Sequence, residues 1–128
     1  MCGINGILIS PGRSPSQLRR IRELFTANLL ANEQRGREAT GIARLNNDSD
    51  IRINKAPVTA SEFISSPGCL RVLNAVSENT TVLRGHTREA TKGRPQKNVN
   101  NDPLVRGDIV GLHNGTISND DLIFARET

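Results

Sequence analysis

Apolar residues cluster at the front of the chain, where Ile4, Ile7, Leu8 and Ile9 are interrupted by Gly3 and Gly6 before Pro11-Gly12 turns the backbone. This pattern predicts a buried first strand over Cys2 to Ile9, with the extreme N-terminus inside. Ser14-Pro15-Ser16-Gln17 has the form of a capping box with proline at the first helical position. Leu18, Ile21, Phe25 and Leu29 then recur at spacings of three and four, so a helix is expected over 15–33. Its other face carries Arg19, Arg20, Arg22 and Glu23 and reads as solvated surface. Thr40 to Leu45 and Ile51 to Asn54 flank the turn formers Asn46-Asn47-Asp48-Ser49-Asp50, which predicts a hairpin. Thr59-Ala60-Ser61-Glu62 offers a second capping box, and Pro67 to Val76 reads as a short helix with Leu70, Val72, Leu73 and Val76 inward. Thr80 to His86 and Asp108 to His113 are two further strands, separated by the polar stretch Thr91 to Asn101. Asn119 to Thr128 begins a helix or turns into another strand. The order of elements suggests antiparallel sheet layered with helices rather than a βαβ winding.

With 128 residues, 35% hydrophobic and 23% charged, the chain fits one globular domain or part of one. No apolar stretch approaches the roughly 20 residues that a membrane span needs. The start, Met1-Cys2-Gly3, lacks the basic-then-apolar order of a secretory signal, so a cytoplasmic setting is expected. There Cys2 and Cys69 are free thiols rather than a disulfide, with Cys69 packed in the core. The net charge of +4 raises the question of a nucleic-acid partner. Dispersed basic residues and three Phe with no Tyr or Trp supply neither a patch nor stacking platforms, so no nucleic-acid partner and no membrane partner are expected.

Cys2 carries the chemistry. Methionine removal is expected before a small second residue, and it would leave a thiol and a free α-amine on one residue. A thiol of pKa ~8.5 is only a few per cent thiolate at neutral pH, and an amine of pKa ~7.7 to 8.0 beside it can take or relay its proton. Nucleophile and base then come together without a histidine. His86 and His113 each end a candidate strand. No cysteine or carboxylate stands at ligand spacing to complete a metal site with them, so structural histidines are favoured and neither a metal nor a cofactor is expected. A Cys-His pair stays open as an alternative. Asn114-Gly115 alone would read as a tight turn, and Arg88 alone as a surface ion pair.

Four segments in this order, Cys2-Gly3-Ile4, Arg35 to Ala43 (RGREATGIA), Gly85 to Thr91 (GHTREAT) and His113 to Asn119 (HNGTISN), resemble the class II glutamine amidotransferase domain of the N-terminal-nucleophile hydrolases. The version closest in pattern is that of the glutamine:fructose-6-phosphate amidotransferases, and the resemblance spans residues 1–128 as the N-terminal part of such a domain. It implies an α+β fold, a four-layer α/β/β/α sandwich of antiparallel sheets, incomplete at the C-terminus. It implies that Cys2 attacks the side-chain amide of L-glutamine to form a thioester, with the Asn114 side chain and the Gly115 backbone N–H holding the oxyanion. Arg88 then binds the α-carboxylate, Thr91 lines the pocket, and Arg35 and Gly36 support the nucleophile. A guanidinium suits a carboxylate because it pairs in a plane, and glycine suits a backbone donor that substrate must approach.

The pattern departs from the family at Glu89, where an aromatic residue is common, and at Lys92 and Asp102, where histidine is common. Asp120 and Asp121 follow Asn119 too closely to replace the family's acidic partner of the substrate ammonium, and they read as first-turn acids of a helix. A truncated chain, with weak or absent glutaminase activity unless the remainder is supplied, is therefore expected, with any acceptor handled by a synthase domain or subunit elsewhere. Three rivals remain: another N-terminal-nucleophile hydrolase acting on a different amide, an inactive binding or regulatory module of the same shape, and a basic nucleic-acid binder.

Overall fold

The computed structural model of the chain describes residues 1–127. Thr128, at the end of the last predicted element, lies outside the described residues. In chain order the elements are β1 (Gly3–Leu8), α1 (Pro15–Ala31), β2 (Ala39–Asn46), β3 (Ile51–Ala56), α2 (Ala60–Phe63), α3 (Pro67–Asn74), β4 (Thr80–Arg88), β5 (Leu104–Arg106), β6 (Ile109–Gly111) and α4 (Asp120–Glu127). Four strands form one sheet in the order β1-β4-β2-β3, and β5 pairs with β6 in a separate ribbon. Every pairing is antiparallel. The chain thus adopts the expected α+β class of antiparallel sheets, and among the described residues the second sheet is a two-stranded ribbon.

Alternation along β4 separates the two sides of the large sheet. Leu83, Gly85 and Thr87 face the helices, where Thr87 Oγ1 donates to the Asn32 carbonyl at 2.8 Å. Arg84, His86 and Arg88 face the other way, and Arg84 donates to the Val110 carbonyl of β6 at 3.2 Å. The helices lie on the first side. Leu18, Phe25 and Leu29 of α1, Phe63 of α2, and Cys69, Val72 and Leu73 of α3 join Ile42 and Leu83 in one core. Phe25 and Phe63 are fully buried, each worth about 1.5–3 kcal/mol in apolar surface removed from water. The predicted capping box starts α1: Ser14 Oγ accepts from Gln17 N at 3.2 Å and Gln17 Oε1 accepts from Ser14 N at 2.8 Å.

Several expectations need correction. β1 is an edge strand with one open face, so Leu8 is 83% exposed, and Met1, at 74%, is not inside. Leu70 points outward, because α3 is short and only Cys69, Val72 and Leu73 meet the core. The second capping box is half formed: Thr59 Oγ1 accepts from Glu62 N at 3.4 Å. There Glu33 instead bonds Ser61, accepting from its N–H at 3.0 Å and its hydroxyl at 2.9 Å, and this holds the Glu33 carboxyl below its usual pKa. The predicted strand over Asp108 to His113 shortens to β6, and its partner β5 was not expected. Asn119 onward takes the helical option, with Asp120 and Asp121 in the first turn of α4.

Candidate active site

Antiparallel register brings the front of the chain to the end of β4. Gly3 stands opposite Thr87 and Ile4 opposite His86, so Cys2, one residue earlier, reaches the side of the sheet that carries His86 and Arg88. The Cys2 side chain is buried. Its sulfur accepts from Glu89 N at 3.4 Å and lies 3.5 Å from the Glu89 carbonyl.

Beside this sulfur opens a cleft of about 310 Å³ whose walls include Cys2, His86, Arg88, Thr91, Asp102 and Gly115. An adjoining hollow is lined by Met1, Cys2, Glu89, Thr91, Asn114, Gly115 and Thr116. The structure therefore gathers Cys2, Arg88, Thr91, Asn114 and Gly115, from three separate stretches of the sequence, around two hollows that have Cys2, Thr91 and Gly115 in both their walls. Volumes near 300 Å³ are at the small end of ligand pockets, a scale that suits an amino acid. Gly115 has φ +153°, a backbone conformation that a side chain disfavours. Thr91 and Thr116 share a hydroxyl–hydroxyl bond of 2.7 Å that ties the two loops of the hollow together.

Arg35 and Gly36 are not among the residues that line the cleft; Arg35 lies beside Cys2 and Gly36 against the end of β4. Arg35 Nε donates to the Cys2 carbonyl at 3.2 Å, and its Nη2 reaches the Met1 sulfur at 3.3 Å. Gly36 is buried against β4, and a Cβ there would meet the Arg88 backbone oxygen at 2.7 Å. Position 36 thus lets the segment before β2 press onto the strand end that carries Arg88.

Arg88 is buried and already well bonded. Its Nη1 donates to Asn101 Oδ1 at 2.6 Å, and Nη2 donates to the Lys92 and Gly93 carbonyls at 2.5 and 2.9 Å. These bonds use three of five guanidinium donors. Asn101, fully buried, is held in turn by Nδ2 donating to the Pro95 carbonyl at 2.7 Å and to Asn98 Oδ1 at 3.1 Å. Lys55 Nζ donates to the Asn101 and Pro103 carbonyls at 2.6 and 2.9 Å, and burial lowers its pKa. Sequence reasoning missed Asn101 and Lys55, since nothing in a polar stretch marks which amide will be buried.

The positions that depart from the family pattern are all engaged. The Glu89 carboxylate pairs with the Met1 ammonium, which lowers its pKa. Lys92 Nζ bonds Asp120 at 2.6 Å and Asp121 at 3.1 Å, tying α4 to the loop after β4 and raising the lysine pKa. Asp102 Oδ2 accepts from the His113 N–H at 2.7 Å and stands 3.4 Å from His86 Nε2. Burial lowers the His86 pKa, opposed by Asp102 and reinforced by Arg88. Among the described residues no three His, Cys, Asp or Glu side chains group to hold a metal ion, and no helix is long and apolar enough to cross a membrane.

Fold and site together define an antiparallel α+β protein with a cysteine-bearing cleft at the meeting of its first and fourth strands. No protein-family model matches the chain. The chain is homologous to glutamine--fructose-6-phosphate aminotransferases over nearly its whole length: 36% identical over 122 residues to that of Sulfolobus acidocaldarius, covering 93% of this chain and 18% of the relative. It is 33% identical over 120 residues to that of Chlorobaculum tepidum and 27% identical over 123 residues to that of Vibrio cholerae. The chain spans less than a fifth of the length of these enzymes.

Proposed function

We propose that residues 1–128 belong to a class II glutamine amidotransferase domain and that Cys2, once Met1 is removed, hydrolyses the side-chain amide of L-glutamine. The single observation that carries this reading is the convergence of Cys2, Arg88, Thr91 and Gly115 on one cleft. The Cys2 thiolate attacks the amide carbon, and the oxyanion that forms is held by the Asn114 side-chain amide and the Gly115 N–H. The α-amine, having taken the thiol proton, passes it to the departing nitrogen, so the C–N bond breaks and ammonia leaves a γ-glutamyl thioester. Water, losing a proton to the same amine, attacks the thioester and frees glutamate and the thiol. Arg88 pairs with the α-carboxylate through its remaining donors. Released ammonia passes to an acceptor bound by a synthase domain or subunit, and the reaction takes place in the cytoplasm.

The test uses the whole protein, with any residues that follow position 128, after mass spectrometry has verified that Met1 is gone. Glutamate release from glutamine, but not from asparagine, that vanishes in Cys2→Ala is the expected result. A glutamine-like diazoketone should add its mass to Cys2. A processed chain that neither releases glutamate nor takes the label would refute the reading. That outcome would favour the alternative of an inactive binding module, to which one observation already points: Arg88 is committed to Asn101, Lys92 and Gly93.

A further inference from the structure

The segment that carries the two proposed oxyanion donors is short, exposed and outside any helix or strand. Its orientation depends on what grips the peptide before it. The His113 N–H donates to Asp102 Oδ2 at 2.7 Å, and the His113 carbonyl lies 3.1 Å from His86 Nε2. Both neighbours of that ring nitrogen, the carbonyl and the Asp102 carboxylate, are acceptors, so Nε2 carries the proton and His86 is the donor. One peptide unit on each side of His113 is thus held, one by Asp102 and one by a histidine of the central strand β4.

Asp102 is itself fixed. It is 8% exposed, and its backbone lies so close to β2 that a Cβ on Gly41 would meet its carbonyl carbon at 2.9 Å and Pro103 Cδ at 2.7 Å. Lys55 holds the carbonyls of Asn101 and Pro103 on either side of it. A charged acceptor on a backbone N–H gives a stronger, more directional bond than a neutral one. Resting on the glutaminase reading above, we propose that Asp102 is a positioning residue whose carboxylate sets the orientation of His113-Asn114-Gly115 and hence of the oxyanion donors. Its neighbour Asn101 serves Arg88 instead, so two adjacent residues divide the work: one orients the site for the transition state, the other for substrate binding.

The experiment compares Asp102→Ala and Asp102→Asn with the parent, all as whole proteins that lack Met1 and carry any residues that follow position 128. Asp102→Ala should lower kcat for glutamine hydrolysis by about 10–100-fold, with KM within about twofold, because donors misplaced by a fraction of an ångström lose transition-state rather than ground-state contacts. Asp102→Asn keeps an acceptor for the His113 N–H and should restore kcat to within about threefold of the parent. Unchanged kcat in Asp102→Ala, or equal loss in both variants, overturns the proposal. If the parent itself releases no glutamate, the glutaminase reading fails separately, and hydrogen exchange of the His113 amide decides the positioning claim. At least about tenfold faster exchange in Asp102→Ala but not in Asp102→Asn supports it, since protection follows the lost bond; unchanged exchange overturns it.

Discussion

Asn101→Ala removes a fully buried side chain that links three segments, and its cost can be worked out bond by bond. One bond, to the Arg88 guanidinium at 2.6 Å, is charge-assisted and worth about 1.5–3 kcal/mol; two neutral bonds, to Pro95 and Asn98, are worth about 0.5–1.5 kcal/mol each. Water entering from the cleft side recovers part of this for Arg88, so a net loss of about 3 kcal/mol is expected. For a chain of this size that corresponds to a fall in Tm of roughly 10 °C. Urea titration should show a lower midpoint with the slope unchanged. Asn101→Asp keeps an acceptor for Arg88 but loses both Nδ2 donations, so it should fall between the parent and the alanine variant. A loss below about 1 kcal/mol for alanine, or an aspartate variant as damaged as alanine, would refute the reasoning. On the proposed function, KM for glutamine should also rise in Asn101→Ala, because Arg88 loses the contact that aims it.

Three further outcomes are expected. Burial pushes the Cys69 thiol up to about 11, so a thiol reagent at neutral pH should label Cys2 first and reach Cys69 only on unfolding, as peptide mapping would show; equal labelling of the folded chain would count against this. Burial holds the His86 pKa below its ordinary value, so the folded chain binds that proton less readily than the unfolded one. The corresponding stability is fully present above the unfolded pKa of about 6.5 and is lost as pH falls through it toward the depressed folded value. Urea midpoints should therefore drop between pH 7.5 and 5.5 in the parent and less so in His86→Gln. Gly36→Ala would drive a Cβ into the Arg88 backbone, costing about 1–3 kcal/mol in overpacking, and on the proposed function should raise KM for glutamine, whereas unchanged stability would sink the close-approach argument.

What was legible in the sequence was mostly local. The Ser14–Gln17 cap and the Leu18, Phe25 and Leu29 spacing are written within a few turns of one helix, and α1 forms where they indicate. The hairpin of β2 and β3 is likewise announced by its turn residues. The insertion of β4 between β1 and β2 was not legible, because it depends on pairing across some eighty residues, as between Gly3 and Thr87. β5, three exposed residues long, shows no alternation to detect. At the site, Cys2, Arg88, Thr91, Asn114 and Gly115 were named from the four segments, and their convergence is a matter of the fold. Asn101 and Lys55 escaped notice because burial of a polar side chain follows from tertiary packing. Asp102 stood out only as a departure, and its hold on His113 needs the 101–103 segment laid across Gly41.

The alternation of β4 has an evolutionary consequence. Thr87 serves the helical side and Arg88 the cleft, on a strand bonded along both edges. Point substitutions there can be tried one at a time, each judged by selection on its own. Deleting or inserting a single codon within the strand would exchange the two faces at a stroke, placing a guanidinium among Leu29 and Asn32 and taking that of Arg88 out of the cleft. Lineages that diversify this protein should therefore accept length changes in the loops around β4 and tolerate none inside it.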